Sequence, residues 1–131
     1  LEFRRVLFRS TLPPPQPGMV GVYKKLGRNV ISDLSIVGVA VMGYPSSKSP
    51  SGYVFRIALA SVAPVPMEPV KAEAILSEKK ITAETIAEAA QAAMDAVTPI
   101  DDVRGSARYR KFMVRNLVRE GVTEVWAKLS K

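Results

Sequence analysis

The chain offers few side chains able to do chemistry, because its 131 residues include neither cysteine nor histidine. Thiolate nucleophiles, imidazole bases, Ser-His-Asp triads and Cys/His zinc sites are therefore excluded. The adjacent carboxylates Asp101 and Asp102 suggest acid–base catalysis or metal binding. Neighbouring side chains diverge, however, and acids just before a helix satisfy its free amides and its dipole. We predict that these two residues cap the last helix.

A second candidate is the segment GYPSSKS at residues 43–49, which places Lys48 and several hydroxyls near a glycine. A phosphate-binding loop needs a second glycine at a set spacing and a run of free backbone amides. This segment lacks that glycine, and Pro45 has no amide to donate. We predict a solvent-exposed hairpin tip without a phosphate site.

The last predicted helix carries a basic stripe. At about 100° per residue, five cations fall in a sector of about 80°: Arg104, Arg108, Lys111, Arg115 and Arg119. The stripe is compatible with nucleic-acid phosphate, a cofactor pyrophosphate, an acidic subunit or plain solvent. Phe112 is the only aromatic residue in the sector, so base stacking has little support. Arg110 lies in the apolar sector instead, where a buried guanidinium needs Asp101 or Asp102 as its partner.

Strand and linker patterns occupy the first half of the chain. Residues 12–18, LPPPQPG, resist helix and central strand because proline fixes φ and lacks a donor. Strands are predicted at residues 21–26, 34–42 and 53–62, with the last two joined as a hairpin. The second strand is nearly continuous in apolar residues, which predicts a central strand covered on both faces or nearly so.

Helical patterns occupy the second half. They predict helices at residues 70–77, from the N-cap Thr82 to just before Pro99, and at residues 106–120. The last helix has an inner stripe of Ala107, Val114, Leu117 and Val118. Strands precede helices, so the predicted fold class is α+β, an antiparallel sheet of about three strands followed by three helices packed on one face.

Composition sets the broad class of the protein. The 47% hydrophobic and 24% charged residues are typical of a globular domain, and the net charge of +7 favours anionic partners without naming one. The longest apolar run, residues 36–43, is far shorter than the roughly 18 residues of a membrane span. Residues 1–10, LEFRRVLFRS, lack an export pattern, and we predict a non-native leader before a single domain at 11–131. Absent cysteines are compatible with a reducing compartment, and we predict a cytoplasmic location.

Four segments, taken in order, resemble the FAD-binding (medium) subunits of molybdenum hydroxylases of the xanthine dehydrogenase and carbon monoxide dehydrogenase type. They are YKKLGRNVISDLSIVGVAV at 23–41, FRIALASVAPVPM at 55–67, AEAIL at 72–76 and TPIDDVRGSARYRKFMVRNLV at 98–118. The resemblance covers only the C-terminal domain of that subunit, whose family fold is a sheet followed by three helices. It implies that the chain is a C-terminal fragment of a larger flavoprotein subunit.

The resemblance implies an oxidoreductase role. Such a subunit takes electrons from an iron–sulfur subunit onto FAD and passes them to an acceptor such as NAD, while a molybdopterin-binding subunit hydroxylates the substrate. In related subunits a lysine of the first strand lies near the flavin, and Lys24 matches it, where a cation would stabilise negative charge on reduced flavin. The alternative is an edge-strand lysine in solvent. Other recurrent family positions have an architectural role: Asp33, Asp102, Arg104, Tyr109 and Arg110.

Because most of the cofactor pocket would lie outside this chain, we expect no activity from it alone and weak or no FAD binding. No catalytic or metal-binding residue is assigned. The alternative hypothesis is a free-standing basic α+β module that binds nucleic acid or another polyanion through the basic stripe, with an affinity that falls steeply with salt. We expect no membrane partner, and nucleic acid is the less favoured partner.

Overall fold

A three-stranded antiparallel sheet forms the first half of the fold. The computed structural model describes residues 12–29 and 34–131, so the predicted leader at 1–10 and Asp33 lie outside the described residues. The strands are β1 (Val20–Leu26), β2 (Val37–Pro45) and β3 (Tyr53–Ala60), in the order β1-β2-β3. The predicted central strand and its hairpin with β3 are confirmed.

The outer edge of β3 is protected by groups from the next part of the chain. The amide of Ile57 donates to Glu73 Oε1 at 2.7 Å, and Leu59 and Met67 exchange two backbone hydrogen bonds of 2.8 and 3.0 Å. Burial raises the pKa of Glu73, and the Ile57 N–H opposes this rise by favouring the carboxylate. These contacts satisfy strand amides that would otherwise invite pairing with another chain.

Three helices follow, as the sequence predicts: α1 (Val70–Glu78), α2 (Ala83–Ala96) and α3 (Ala107–Leu129). Thr82 is the N-cap of α2, and its hydroxyl accepts from the Thr85 N–H at 3.3 Å. Ser106 caps α3 in the same way through the Tyr109 N–H at 3.1 Å. Each cap supplies an acceptor for a first-turn amide that has no partner within the helix.

The predicted end of α3 at Glu120 is wrong by nine residues. Gly121, which directly follows the predicted end, is a weak helix former. In the structure Gly121 lies against β2, where an added Cβ would come within 2.9 Å of Val41 Cγ2. The next turns bury Val122 and Val125 completely. Burial of these side chains outweighs the low propensity of the glycine.

One hydrophobic core lies between the sheet and the helices. The sheet contributes alternate residues of its two longer strands, Val37, Val39, Val41, Phe55, Ile57 and Leu59. The helices contribute Leu76, Ile86, Ala89, Ala93, Val114 and Val118. The predicted α+β layering with helices on one face is confirmed. Among the described residues, no helix is long and apolar enough to cross a membrane.

Candidate functional site

The motif at residues 98–118 forms an ionic cluster around Arg110. Its side chain is 3% exposed, and its Nη1 donates to the Ser61 carbonyl at 2.8 Å and to the Ile36 carbonyl at 3.3 Å. Ile36 directly precedes β2, and Ser61 directly follows β3. Nη2 pairs with Asp102 Oδ1 at 2.6 Å. Arg110 therefore joins α3 to the adjacent ends of two strands.

Asp102 organises the turn before α3. Its carboxylate accepts from the Arg104 backbone amide at 2.8 Å and pairs with the Arg104 guanidinium at 2.9 Å. The Arg110 guanidinium, with a further contribution from the Arg104 N–H, holds the pKa of Asp102 well below its usual range. Asp102 is thus the partner of Arg110 rather than the predicted cap. Asp101 does cap the helix, accepting from the Ala107 amide at 2.6 Å.

Lys24 lies on the helix side of β1, opposite Val39 in the register with β2. Its Nζ is 2.9 Å from Glu120 Oε1 and 2.7 Å from Glu124 Oε2, both on α3. The hydrogen bond to Glu124 and, to a smaller extent, the hydrogen bond to Glu120 raise the pKa of Lys24. The Lys24 and Lys128 ammonium groups lower the pKa of Glu124 to about 2. The ammonium is therefore held by carboxylates at the edge of the sheet, with 24% of the side chain exposed.

These carboxylate partners were not among the sequence-predicted residues. Glu120 and Glu124 are spaced by one helical turn, and such a spacing places two side chains on the same helix face. The signal was hidden because α3 was predicted to end at Glu120. A helix predicted to extend to Leu129 would have indicated that Glu120 and Glu124 face the same partner.

The side of the sheet opposite the helices, called the outer face here, carries mostly small and apolar side chains. Alternation along the strands places these residues on it: Gly21, Tyr23, Lys25, Gly38, Ala40, Met42, Tyr44, Val54, Arg56, Ala58 and Ala60. The sequence predicts that β2 is covered on both faces or nearly so; on this face the cover is partial, because Gly38 is buried whereas Met42 is 42% exposed. An open groove of about 520 Å³ lies on it.

A proline-rich stretch, residues 12–19, forms one wall of this groove and is called the proline segment here. Its prolines Pro13, Pro14 and Pro15 line the groove with Met42 and Ala58 of the outer face. Lys24 points to the opposite side of the sheet. The groove and the Lys24 ammonium therefore belong to two different surfaces.

The predicted basic stripe is divided in the structure. Arg104 turns to Asp102, whereas Arg108 and Arg115 lie 5.7 and 5.2 Å from the centre of the Phe112 ring. Two guanidinium groups thus contact one aromatic ring by cation–π attraction. This arrangement keeps positive charge on the first half of α3, beside the partly exposed ring of Phe112.

The hairpin tip uses its own amides and hydroxyls. Gly52 N–H donates to the Ser49 carbonyl at 2.9 Å, and Ser46 N–H donates to the Gly52 carbonyl at 2.9 Å. The Ser49 hydroxyl donates to the carbonyl of Ser77 at the end of α1, at 2.7 Å. These amides are engaged within the loop, as expected for a hairpin tip rather than a phosphate cradle.

Comparison with known proteins relates this arrangement to one family. Residues 21–125 match the family described as the CO dehydrogenase flavoprotein C-terminal domain. The carbon monoxide dehydrogenase medium chain of Hydrogenophaga pseudoflava is 31% identical over 128 residues, which cover 98% of this chain and 44% of that one. The chain thus spans less than half the length of this relative.

Two solved structures have a similar fold. Carbon monoxide dehydrogenase from Hydrogenophaga pseudoflava, in a form lacking the Mo-pyranopterin moiety of the molybdenum cofactor, matches with a TM-score of 0.80 and 33% identity. Reconstituted CO dehydrogenase from Oligotropha carboxidovorans matches with a TM-score of 0.79 and 27% identity. Each match covers 89% of this chain and 40% of the other chain.

Proposed function

The chain belongs to the CO dehydrogenase flavoprotein C-terminal domain family, and we propose that it serves as the C-terminal domain of a cytoplasmic flavoprotein subunit in a molybdenum-containing hydroxylase or dehydrogenase. Bound FAD would supply the redox chemistry, relaying electrons from an iron–sulfur subunit to an acceptor. A molybdopterin-binding subunit would carry out the substrate reaction. The observation that carries this proposal is the match of residues 21–125 to the family model.

The composition supports this division of labour. The sequence has no cysteine or histidine to bind an iron–sulfur cluster, and the described residues include no group of three or more acidic side chains placed to hold a metal. In the proposal the metal centres therefore lie outside this chain. This chain contributes a rigid layer of sheet and helices beside the flavin-bearing part of its own subunit.

The described residues fit FAD as a neighbouring surface rather than as an enclosing pocket. Their larger groove is open and lies on the outer face, whereas Lys24 points to the helix side of the edge strand β1. Lys24 is the one residue that we assign to the flavin. In the proposal its ammonium meets the flavin at the β1 edge, where part of the side chain is exposed.

The electrostatic effect of Lys24 depends on its carboxylate partners. Lys24 and Lys128 face Glu120 and Glu124, so two positive charges are balanced by two negative ones. Carboxylates paired with a cation cancel part of its electrostatic field, so the cation stabilises a nearby negative charge less strongly. We therefore expect Lys24 to tune the flavin through its position, as a donor at the sheet edge, more than through net charge.

The whole proposal is tested by a chimera of the Hydrogenophaga pseudoflava medium chain in which this chain replaces the matching region. We expect the chimera, assembled with its partner subunits, to hold FAD and to reduce an acceptor with electrons from CO. The isolated chain is expected to hold little or no FAD. A folded, assembled chimera that holds FAD but transfers no electrons, or stoichiometric FAD on the isolated chain, would contradict the proposal.

The assignment of Lys24 is tested in the same chimera by Lys24→Ala, with Lys128→Ala as the matched control. Both lysines contact Glu124, but only Lys24 lies on the sheet edge. We expect Lys24→Ala to change the flavin content, potential or reoxidation rate, and Lys128→Ala to leave all three unchanged. If the two variants behave alike, Lys24 is a strut between β1 and α3 and has no contact with the flavin.

A further inference from the structure

The outer face has the composition of a buried surface. Of its eleven residues, only Lys25 and Arg56 are charged. The solvated side of an antiparallel sheet is normally polar at alternate positions. Here the register instead aligns small or apolar residues across the sheet, as in the row formed by Tyr23, Ala40 and Ala58.

Small residues make this surface flat and allow close approach. The Tyr23 hydroxyl lies 2.8 Å from the position that an added Cβ on Gly38 would take, so the ring lies across the sheet. Tyr23 remains 60% exposed. Arg56 is already neutralised by Glu73 at 3.2 Å and by Glu68 at 3.5 Å. A partner that covers this face would therefore bury apolar atoms, and it would bury the Arg56 guanidinium together with the carboxylates that pair with it.

The path of the chain indicates what covers the outer face. The proline segment precedes β1 and lies along this face, where it lines the groove with Tyr44 and Ala58. A polypeptide that arrives along one surface places the domain before it near that same surface. The relatives have more than half of their length outside the region matched by this chain.

We propose that the outer face is the docking surface for the flavin-bearing part of the same subunit, which would extend around the β1 edge to bring the flavin to Lys24. This inference rests on the proposed function and adds the surface by which the two parts meet. A second copy of the chain is the less favoured occupant, because each copy would bring its own proline segment to the groove.

Thiol labelling tests this surface, since the chain has no cysteine of its own. Ala58→Cys places a thiol on the outer face, and Ala87→Cys places one at an exposed position of α2. Both are compared in the isolated chain and in the apo form of the chimera, with labelled peptides identified by mass spectrometry. We expect the chimera to slow labelling at position 58 by at least about tenfold, and labelling at position 87 by less than about twofold.

The outcomes separate the occupants. Equal labelling rates at position 58 in the isolated chain and the chimera overturn the proposal. Protection that grows with concentration in the isolated chain, together with dimers in sedimentation experiments, assigns the face to a second copy and also overturns it. Because the apo chimera is used, the result does not depend on flavin binding or electron transfer, so a failed proposed function is distinguished from a failed docking surface.

A second measurement applies if the chimera does not fold. The isolated chain is added to the Hydrogenophaga pseudoflava medium chain lacking its matching region, and binding is compared for wild type, Ala58→Arg and the control Ala87→Arg. We expect Ala58→Arg to weaken binding at least about tenfold and Ala87→Arg to change it less than about twofold. Equal weakening by both, or no loss with Ala58→Arg, contradicts the docking surface.

Discussion

Replacing the buried Arg110 of α3 by methionine is expected to destabilise the fold strongly. The side chain is 3% exposed and connects the Ser61 and Ile36 carbonyls to the Asp102 carboxylate. Methionine fills a similar volume but donates no hydrogen bond. Two carbonyls then lose a charged donor, and Asp102 loses its buried counter-ion.

The magnitude follows from the number and burial of the lost contacts. Removing one partner from a buried ion pair costs about 3–5 kcal/mol. Asp102 keeps the Arg104 guanidinium at 2.9 Å, which places the expected loss for Arg110→Met near the lower limit, about 3 kcal/mol. For a domain of this size that corresponds to a fall in Tm of about 12 °C.

The matched control is Arg108→Met, two residues earlier on the same helix. Arg108 is exposed and contacts only the Phe112 ring, at 5.7 Å, among the contacts described for it. An exposed cation–π contact contributes about 0.5–1 kcal/mol, so we expect a fall in Tm of less than about 4 °C. Thermal and urea unfolding followed by circular dichroism measure both variants.

A conservative variant separates charge from geometry. Arg110→Lys keeps the positive charge, but a lysine ammonium lacks the planar fork that reaches two carbonyls and a carboxylate together. We expect its stability to fall between wild type and Arg110→Met. If Arg110→Met and Arg108→Met lower Tm equally, the reasoning that assigns stability to the buried guanidinium is refuted.

Four further outcomes are expected. Gly121→Ala should lower the free energy of unfolding by about 1 kcal/mol, because a clash with Val41 that costs about 2 kcal/mol outweighs a helix-propensity gain of about 1 kcal/mol. A higher urea midpoint than that of the wild type would contradict the close packing of Gly121 against Val41. Thr82→Ala should lower the free energy of unfolding by about 1 kcal/mol, because α2 loses its N-cap hydrogen bond. Thermal unfolding measures this loss, and the control Thr98→Ala, at an exposed loop position, should leave the stability unchanged. The Glu124 carboxyl should titrate in NMR with a pKa of about 2. Because this pKa lies below the ordinary 4.5, the contribution of Glu124 to stability is present above pH 4.5 and is lost as the pH falls toward 2. A titration midpoint near 4.5 would show that the Lys24–Glu124 pair is absent in solution. Fluorescence anisotropy with a labelled oligonucleotide should show no saturable binding at about 150 mM salt, and tight, steeply salt-dependent binding would support the polyanion-binding alternative.

The fold was largely predictable because its signals are local. Apolar, β-rich runs bounded by turn residues marked β2 and β3, helical spacing marked α2, and Thr82 marked a helix start. The length of α3 was not predictable in this way, because Gly121 is favoured only by contact with Val41 across the core. The partner of Arg110 was predicted as one of two neighbouring aspartates, and choosing Asp102 required the shape of the turn.

The candidate site was predictable only in part, because Lys24 was placed by resemblance and its surroundings depend on tertiary contacts. Period-two alternation puts Lys24 and Tyr23 on opposite sides of β1, so the two neighbours in sequence belong to different surfaces. Which side meets the helices is decided by the packing of α3, and that packing brought Glu120 and Glu124 to Lys24. The assignment of Lys24 to the flavin stays a prediction.

The motif at residues 98–118 and the residues of the proposed interface are different sets. Within this motif Arg110, Asp102 and Arg104 hold the strand ends and α3 together, and each of the three is buried or paired. The outer face lies mostly in the segments 23–41 and 55–67 and has no comparable ionic cluster, because a flat docking surface needs small residues such as Ala40 and Ala58 rather than charged groups. The ionic cluster therefore holds the domain together, and the low number of charges on one sheet face supports the proposal that the domain meets the rest of its subunit there.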